Sequence, residues 1–253
     1  MFRRPPGFPQ SKRMRFAVLS DIHGNLEALQ AVLVDARQHH CTHFVCLGDI
    51  VGYNADPSAC LRIVRELDCP TVKGNHDEQA SLSDSSVDFN EMAEQAIMWT
   101  RAQLSEEDRT WLSRLPLQQL VHDFTIVHAT LDMPADWGYV FTRAEAMASF
   151  AYQQTTLCFF GHTHVQGAFV RNTEVTPTLR DKIRIDLGKQ YFVNAGSVGQ
   201  PRDGDWRAAY CIYFPDDNLV EQRRVAYEID RTRKKVLTAG LPRLLADRLV
   251  LGR

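Results

Sequence analysis

The chain alternates short apolar runs with amphipathic stretches, and most of the runs end in small polar or titratable residues. Phe16-Ala17-Val18-Leu19-Ser20 and His43-Phe44-Val45-Cys46-Leu47 are near-continuous runs, as in strands covered on both faces. Between them, Leu26, Leu29, Val32 and Leu33 recur at helical spacing behind Asn25, whose side chain suits an N-cap. A second helix is expected over 57–67, after which Thr71-Val72-Lys73 leads into Gly74. This β-α-β-α-β order predicts parallel strands with right-handed crossovers. Ligands gather at the carboxyl ends of the strands in such sheets.

Further along, a polar loop over 81–90 precedes a helix over 91–104 capped by Asn90. Ser105-Glu106-Glu107-Asp108 has the form of a capping box for another helix ending near Pro116. A strand over 124–127 delivers His128, a loop with Trp137 and Tyr139 leads to a helix over 143–153, and a strand over 157–160 ends in Gly161-His162. From Val165 the texture is hairpin-like, with strands expected over 168–170, 182–187, 191–193 and 208–214. A helical segment over 230–253, broken at Gly240 and Pro242, ends the chain. With no repeat or low-complexity linker, 14–253 reads as one domain with a largely antiparallel second half.

A chain of 253 residues can bury a sizeable core, and a formal net charge of -2 gives no global pull toward nucleic acid or anionic membrane. Residues 1–13 carry Arg3, Arg4, Lys12 and Arg13 with three prolines and no apolar stretch, which reads as a flexible basic tail rather than a secretory signal. Among the six cysteines there is no Cys-x-x-Cys pair, and Cys46 and Cys158 lie within apolar runs, so free thiols are expected. No run approaches the ~20 apolar residues of a membrane helix. A soluble, cytoplasmic protein is the resulting expectation.

The candidate chemistry lies at the ends of the apolar runs: Asp21-Ile22-His23, Gly48-Asp49, Gly74-Asn75-His76-Asp77, His128, and Gly161-His162-Thr163-His164. Each alone is a common turn or cap. Asp21 and His23, two apart on an extended segment, would leave on one face and converge on one ion, and so would His162 and His164. Carboxylate, imidazole and amide ligands suit Mn, Fe, Ni or Zn better than Ca, and the absence of cysteine argues against a structural zinc site. Seven candidate ligands exceed what one ion with open positions can use. Two ions about 3.5 to 4 Å apart, the separation used for in-line displacement at phosphorus, accommodate them.

In this order the motifs resemble the calcineurin-like metallophosphoesterase superfamily, and within it the small bacterial phosphodiesterase branch most. The likeness runs from Met14 and includes the Asn194-Ala195-Gly196-Ser197-Val198-Gly199 loop. It implies a four-layer α/β/β/α sandwich of two mixed β-sheets flanked by helices. It also implies a dinuclear site in which Asp21, His23 and His164 hold one ion, Asn75, His128 and His162 hold the other, and Asp49 bridges them. Manganese is the first expectation, with Fe, Ni, Zn or Mg as alternatives. A hydroxide between the ions would attack phosphorus, and His76 would protonate the leaving oxygen or help bind the phosphate.

The second motif departs from the family's protein phosphatases, which continue Gly-Asp-x-x-Asp-Arg-Gly where this chain has Gly48-Asp49-Ile50-Val51-Gly52-Tyr53-Asn54. The phosphate-gripping Arg is missing, which disfavours a phosphoprotein phosphatase. Arg202 is the candidate replacement, so Asn75, His76 and Arg202 form the expected substrate-binding set, and adjacency makes Asp77 the candidate to orient His76. The expected partner is a small, nucleotide-like phosphodiester. The alternatives are a phosphomonoesterase, a dinucleoside-polyphosphate hydrolase, or a non-catalytic scaffold on the same fold. Tyr53, Trp137 and Tyr139 would line a cleft or pack harmlessly, while His39, His40, His43 and His122 read as exposed or helix-end residues. The basic run from Arg223 to Lys235 is interrupted by Glu228 and Asp230, so a charged outer face is expected and no stable nucleic-acid complex.

Overall fold

The computed structural model describes residues 13–82 and 91–253. The expected N-terminal tail, apart from Arg13, and the Asn90 cap lie outside the described residues. In chain order the elements are β1 (Phe16–Leu19), α1 (Leu26–Gln38), β2 (His43–Cys46), α2 (Pro57–Glu66), α3 (Asn75–Ser81), α4 (Glu91–Gln103) and α5 (Glu106–Ser113). There follow β3 (Gln118–Val121), β4 (Phe124–Val127), α6 (Arg143–Tyr152), β5 (Leu157–Phe160), β6 (Gly167–Arg171), β7 (Val175–Thr178) and β8 (Lys182–Arg184). The last are β9 (Gln190–Asn194), β10 (Ala208–Phe214), β11 (Leu219–Val225), α7 (Ile229–Thr238) and α8 (Arg243–Leu251).

The strands form two mixed sheets, ordered β2-β1-β10-β11-β8 and β3-β4-β5-β9-β6-β7. β1 and β2 run parallel in the first sheet, and β4, β5 and β9 run parallel in the second. The apolar runs stack these sheets face to face: Phe16, Val18, Val45 and Cys211 meet Phe124, Ile126, Phe159 and Val193 in one buried cluster. Outside the first sheet, Leu29, Val32 and Leu33 of α1 and Leu61 and Val64 of α2 pack with Ala17, Leu19 and Ile212. Outside the second, Ala146 and Phe150 of α6 pack with Cys158, Phe160 and Phe192. The outcome is the α/β/β/α sandwich, and all six cysteines are free thiols.

Local sequence accounts for most element ends. Asn25 accepts from Ala28 N at 3.1 Å as the N-cap of α1, and Ser105 and Asp108 close the expected capping box of α5. Two expectations are corrected, and a third is met with one exception. The third strand of the opening β-α-β-α-β unit shrinks to a single parallel bridge between Cys46 and Thr71, because the chain turns at Gly74 and Asn75 begins a helix instead of a plain turn. The second half is largely antiparallel as expected, with the parallel pairing of β9 to β5 as the exception. Strands β3, β7 and β11 were not anticipated; β3 is exposed at Gln118, Gln119 and Leu120, and β7 holds Pro177 as an edge strand can.

Candidate metal centre

Asp21 follows β1, Asp49 follows β2, His128 follows β4 and His162 follows β5, so carboxyl ends from both sheets deliver them to one place. The loops are tied to one another through the main chain. Asp21 N donates to Gly48 O (3.0 Å), His23 N to Asp49 O (2.9 Å), Gly161 N to His128 O (2.9 Å), and Val198 N to Ser20 O (2.9 Å). His162 N donates to Asp21 Oδ2 at 3.0 Å, joining the second sheet to the first.

The convergence does not come from strand alternation, as expected for Asp21 and His23. Asp21, His23, Asp49, His162 and His164 all have left-handed backbones, with φ of 51°, 47°, 53°, 64° and 61°. Such values are uncommon for residues with a Cβ and cluster at functional sites. Tight left-handed turns, not an extended backbone, aim these side chains inward. Two motif glycines are steric necessities: a Cβ at Gly74 would collide with Asp49, and one at Gly161 with Ser20 and Asp21.

The ligand atoms of Asp21, His23, Asp49 and His164 lie within 4.8 Å of one another, and so do those of Asp49, His128 and His162; all six residues are buried. His23 Nδ1 bonds to Val51 O (3.0 Å) and His164 Nδ1 to Gln200 O (2.6 Å). A carbonyl oxygen only accepts, so each Nδ1 carries the proton. Burial holds both imidazoles below the ordinary histidine pKa; the charges of Asp49 on His23 and Asp21 on His164 do not reverse this. Each neutral Nε2 is therefore a bare lone pair, yet the two Nε2 atoms stand 3.1 Å apart, with Asp21 Oδ1 3.1 Å from that of His164. Three electron pairs facing one another with no proton between them suit a divalent cation. Their outer N–H bonds to carbonyls are those that fix metal-ligating histidines.

In the second group, His128 Nδ1 bonds to Leu47 O (2.8 Å), while its Nε2 lies 3.4 Å from Asp49 Oδ2 and 3.2 Å from His162 Nδ1. Burial opposes charge on His128, but Asp49 overcomes it and raises the imidazole to about 9, so this pocket draws positive charge. Burial pushes His162 down to about 3 and leaves its Nε2 without a hydrogen-bond partner. Asn75 Oδ1 is likewise buried without one, as an amide ligand awaiting a cation would be.

Around these atoms stands a supporting layer that sequence reading missed or misassigned. Asp77 does not serve His76: its Oδ1 accepts from Ile50 N (2.9 Å) and Val51 N (3.3 Å) and its Oδ2 from Gly74 N (3.1 Å), fastening the Asp49 loop to α3. Burial, then the charge of Asp49, raises Asp77 to about 7. Asn54 Nδ2 donates to His23 O (2.9 Å), Ser20 Oγ to Asp21 Oδ2 (2.5 Å) and Ser197 Oγ to Asp21 O (2.8 Å). Adjacency to a motif was the available signal for Ser20 and Asn54, but it does not separate a support from a turn residue.

His76 is buried, and its main-chain N donates to Asp49 Oδ1 at 2.8 Å. Its ring meets those of His23 (4.8 Å) and Tyr53 (4.4 Å), and burial lowers it to about 4. Arg202 stands outside the cluster, its guanidinium 5.6 Å from the Tyr53 ring centre and bonded to Gln200 Oε1 through Nη2 (2.9 Å). Trp137 lies edge-on to His128 (5.9 Å), and Tyr139 stacks on His162 (4.3 Å, 23°). The expected cleft aromatics all border the imidazoles.

Residues 14–217 match the family model of the calcineurin-like phosphoesterase superfamily domain. The chain belongs to this superfamily. It is 39% identical over 242 residues to the uncharacterized protein MJ0912 of Methanocaldococcus jannaschii, covering 94% of this chain and 98% of that one. The crystal structure of a metallophosphoesterase from Sphaerobacter thermophilus is 39% identical with a TM-score of 0.85, covering 95% of this chain and all (100%) of that one. At 17% identity, the hypothetical protein PH1004 of Pyrococcus horikoshii OT3 shares the fold, with a TM-score of 0.80 and coverage of 95% and 99%. Membership makes the chain a phosphoesterase fold of hydrolase type, and its His/Asp cluster suits divalent metal. Among the described residues no helix is long and apolar enough to cross a membrane.

Proposed function

We propose that the protein is a metal-dependent phosphodiesterase acting on small phosphodiesters at a two-ion centre. The observation that carries this reading is the convergence of imidazole nitrogens and carboxylate oxygens in two buried groups that share Asp49. Asp21, His23 and His164 would hold one ion, and Asn75, His128 and His162 the other. Bound divalent ions would lower the pKa of water toward 7 and neutralise charge building on the phosphoryl oxygens.

The remaining steps belong to the chain's own side chains. The backbone bonds of Val51, Leu47 and Gln200 hold His23, His128 and His164 in the tautomer that presents Nε2 inward. His76, held neutral by burial, would donate an imidazole N–H to the phosphate or its leaving oxygen, a narrower role than the proton transfer expected from sequence. Arg202 would grip a non-bridging oxygen from beside Tyr53, replacing the arginine absent from the second motif. Manganese is the ion we assign, since the donor set mixes hard carboxylates with imidazole.

The test is to strip the protein, reconstitute it with Mn, Fe, Ni, Zn or Mg, and assay bis-p-nitrophenyl phosphate beside p-nitrophenyl phosphate, with Asp49→Asn as blank. Faster turnover of the diester is expected, with Mn the best ion. A preference for the monoester would make the protein a phosphatase instead.

A further inference from the structure

The loop between β4 and α6 carries aromatic surface that the metal chemistry does not require. Tyr139 is 50% exposed and Phe141 58%, although both are large apolar rings beside a buried cluster. Their rings are nearly parallel, 5.7 Å apart and 12° out of plane, and Tyr139 is itself stacked on His162. The three rings thus step outward from a candidate metal ligand to the surface. The strap is fixed before anything binds. Trp137 Nε1 donates to Glu78 Oε2 of α3 (3.2 Å), and the backbone N–H groups of Phe141 and Thr142 donate to Glu145 Oε2 (2.7 and 2.8 Å). Those two bonds also hold the Glu145 carboxyl below its ordinary range.

We propose that Tyr139 and Phe141 form a preformed stacking platform for a nucleobase carried by the phosphodiester substrate. The inference rests on reading the adjacent cluster as the phosphoester site. Exposed rings on a rigid strap cost solvation until something planar covers them, and they lose little freedom when it does. A base linked through a sugar to a phosphate held at the cluster fits that geometry. Aryl and base rings stack on aromatic side chains irrespective of sequence, which points to selection for nucleotides as a class and not for one base.

The test compares binding of AMP and ribose 5-phosphate, which differ only in the base, to the metal-loaded full chain by calorimetry. AMP should bind about tenfold more tightly in the wild type, the yield of one good base stack. In Phe141→Ala the two ligands should come within about twofold of each other, and Phe141→Tyr should restore the preference. Equal affinities in the wild type, or a preference that survives Phe141→Ala, would overturn the platform. So would a wild-type dimer that Phe141→Ala converts to monomer, since the rings would then cover a second copy. A base preference without ester hydrolysis would instead leave the platform standing and remove the proposed activity.

Discussion

The pairing of two bare Nε2 atoms, His23 against His164, is the smallest feature on which the proposed two-ion reading rests. Two facing lone pairs repel, and with His23 0% and His164 2% exposed no water screens them, so the arrangement suits a positive charge between them. Asp49 is the side chain common to both groups, so Asp49→Asn should reduce diester turnover by well over 100-fold; outer partners of metal ligands alone cost about 10- to 100-fold. Far-ultraviolet circular dichroism should be unchanged, and near-normal turnover in a folded variant would count against the assignment. Asp77 allows a subtler check. An amide there keeps one acceptor for three backbone N–H groups, so Asp77→Asn should cost about 1–3 kcal/mol of stability and lower activity through a displaced Asp49 loop. A melting temperature equal to the wild type's would show that the fastening is unimportant.

Elements matter because they bring distant loops into register. Helix α1 is pinned to the first sheet where Asp35 accepts from Tyr210 Oη (2.5 Å) on β10 and Arg223 Nε (2.9 Å) on β11. Burial opposes the Asp35 charge, but the bonds from Arg223 and Tyr210 win and its pKa falls below the ordinary value. A carboxyl depressed in the folded state adds stability above its unfolded pKa, about 4, and loses it as pH falls through the folded value. Thermal melts from neutral pH down to about pH 2 should therefore show a steeper acid loss in the wild type than in Asp35→Asn; parallel curves would exclude the linkage. The strands β1, β4, β5 and β10 and the caps of α1 and α5 were legible because burial pattern and capping chemistry are local. β3, β7 and β11 were not, because the polar or Pro-containing edge strands β3 and β7 and the charge-rich β11 between β10 and β8 owe their state to partner strands. The left-handed turns at the candidate ligands were also illegible, since Asp and His adopt positive φ more often than most side chains but still too rarely for sequence alone to place it.

At the scale of the whole molecule, a sheet that joins the first strands to β10 and β11 meets a sheet built from the middle of the chain, so that one set of strand ends faces another, and the order of motifs along the sequence was enough to anticipate this. What the order could not supply was the support layer, where Asp77 was mistaken for a partner of His76. The basic C-terminal stretch is largely neutralised in place. Arg223 pairs with Asp35, Arg231 and Lys235 with Glu27, and Arg233 with Asp230. We expect no salt-sensitive affinity for duplex DNA, and a steep fall of binding with added salt would contradict this. The central claim is that the buried convergence exists to hold two divalent ions. Elemental analysis of protein stripped, reconstituted with Mn and desalted tests it most directly. Two ions per chain in the wild type and a loss in Asp49→Asn is the predicted result; a wild-type chain that retains none would contradict the account.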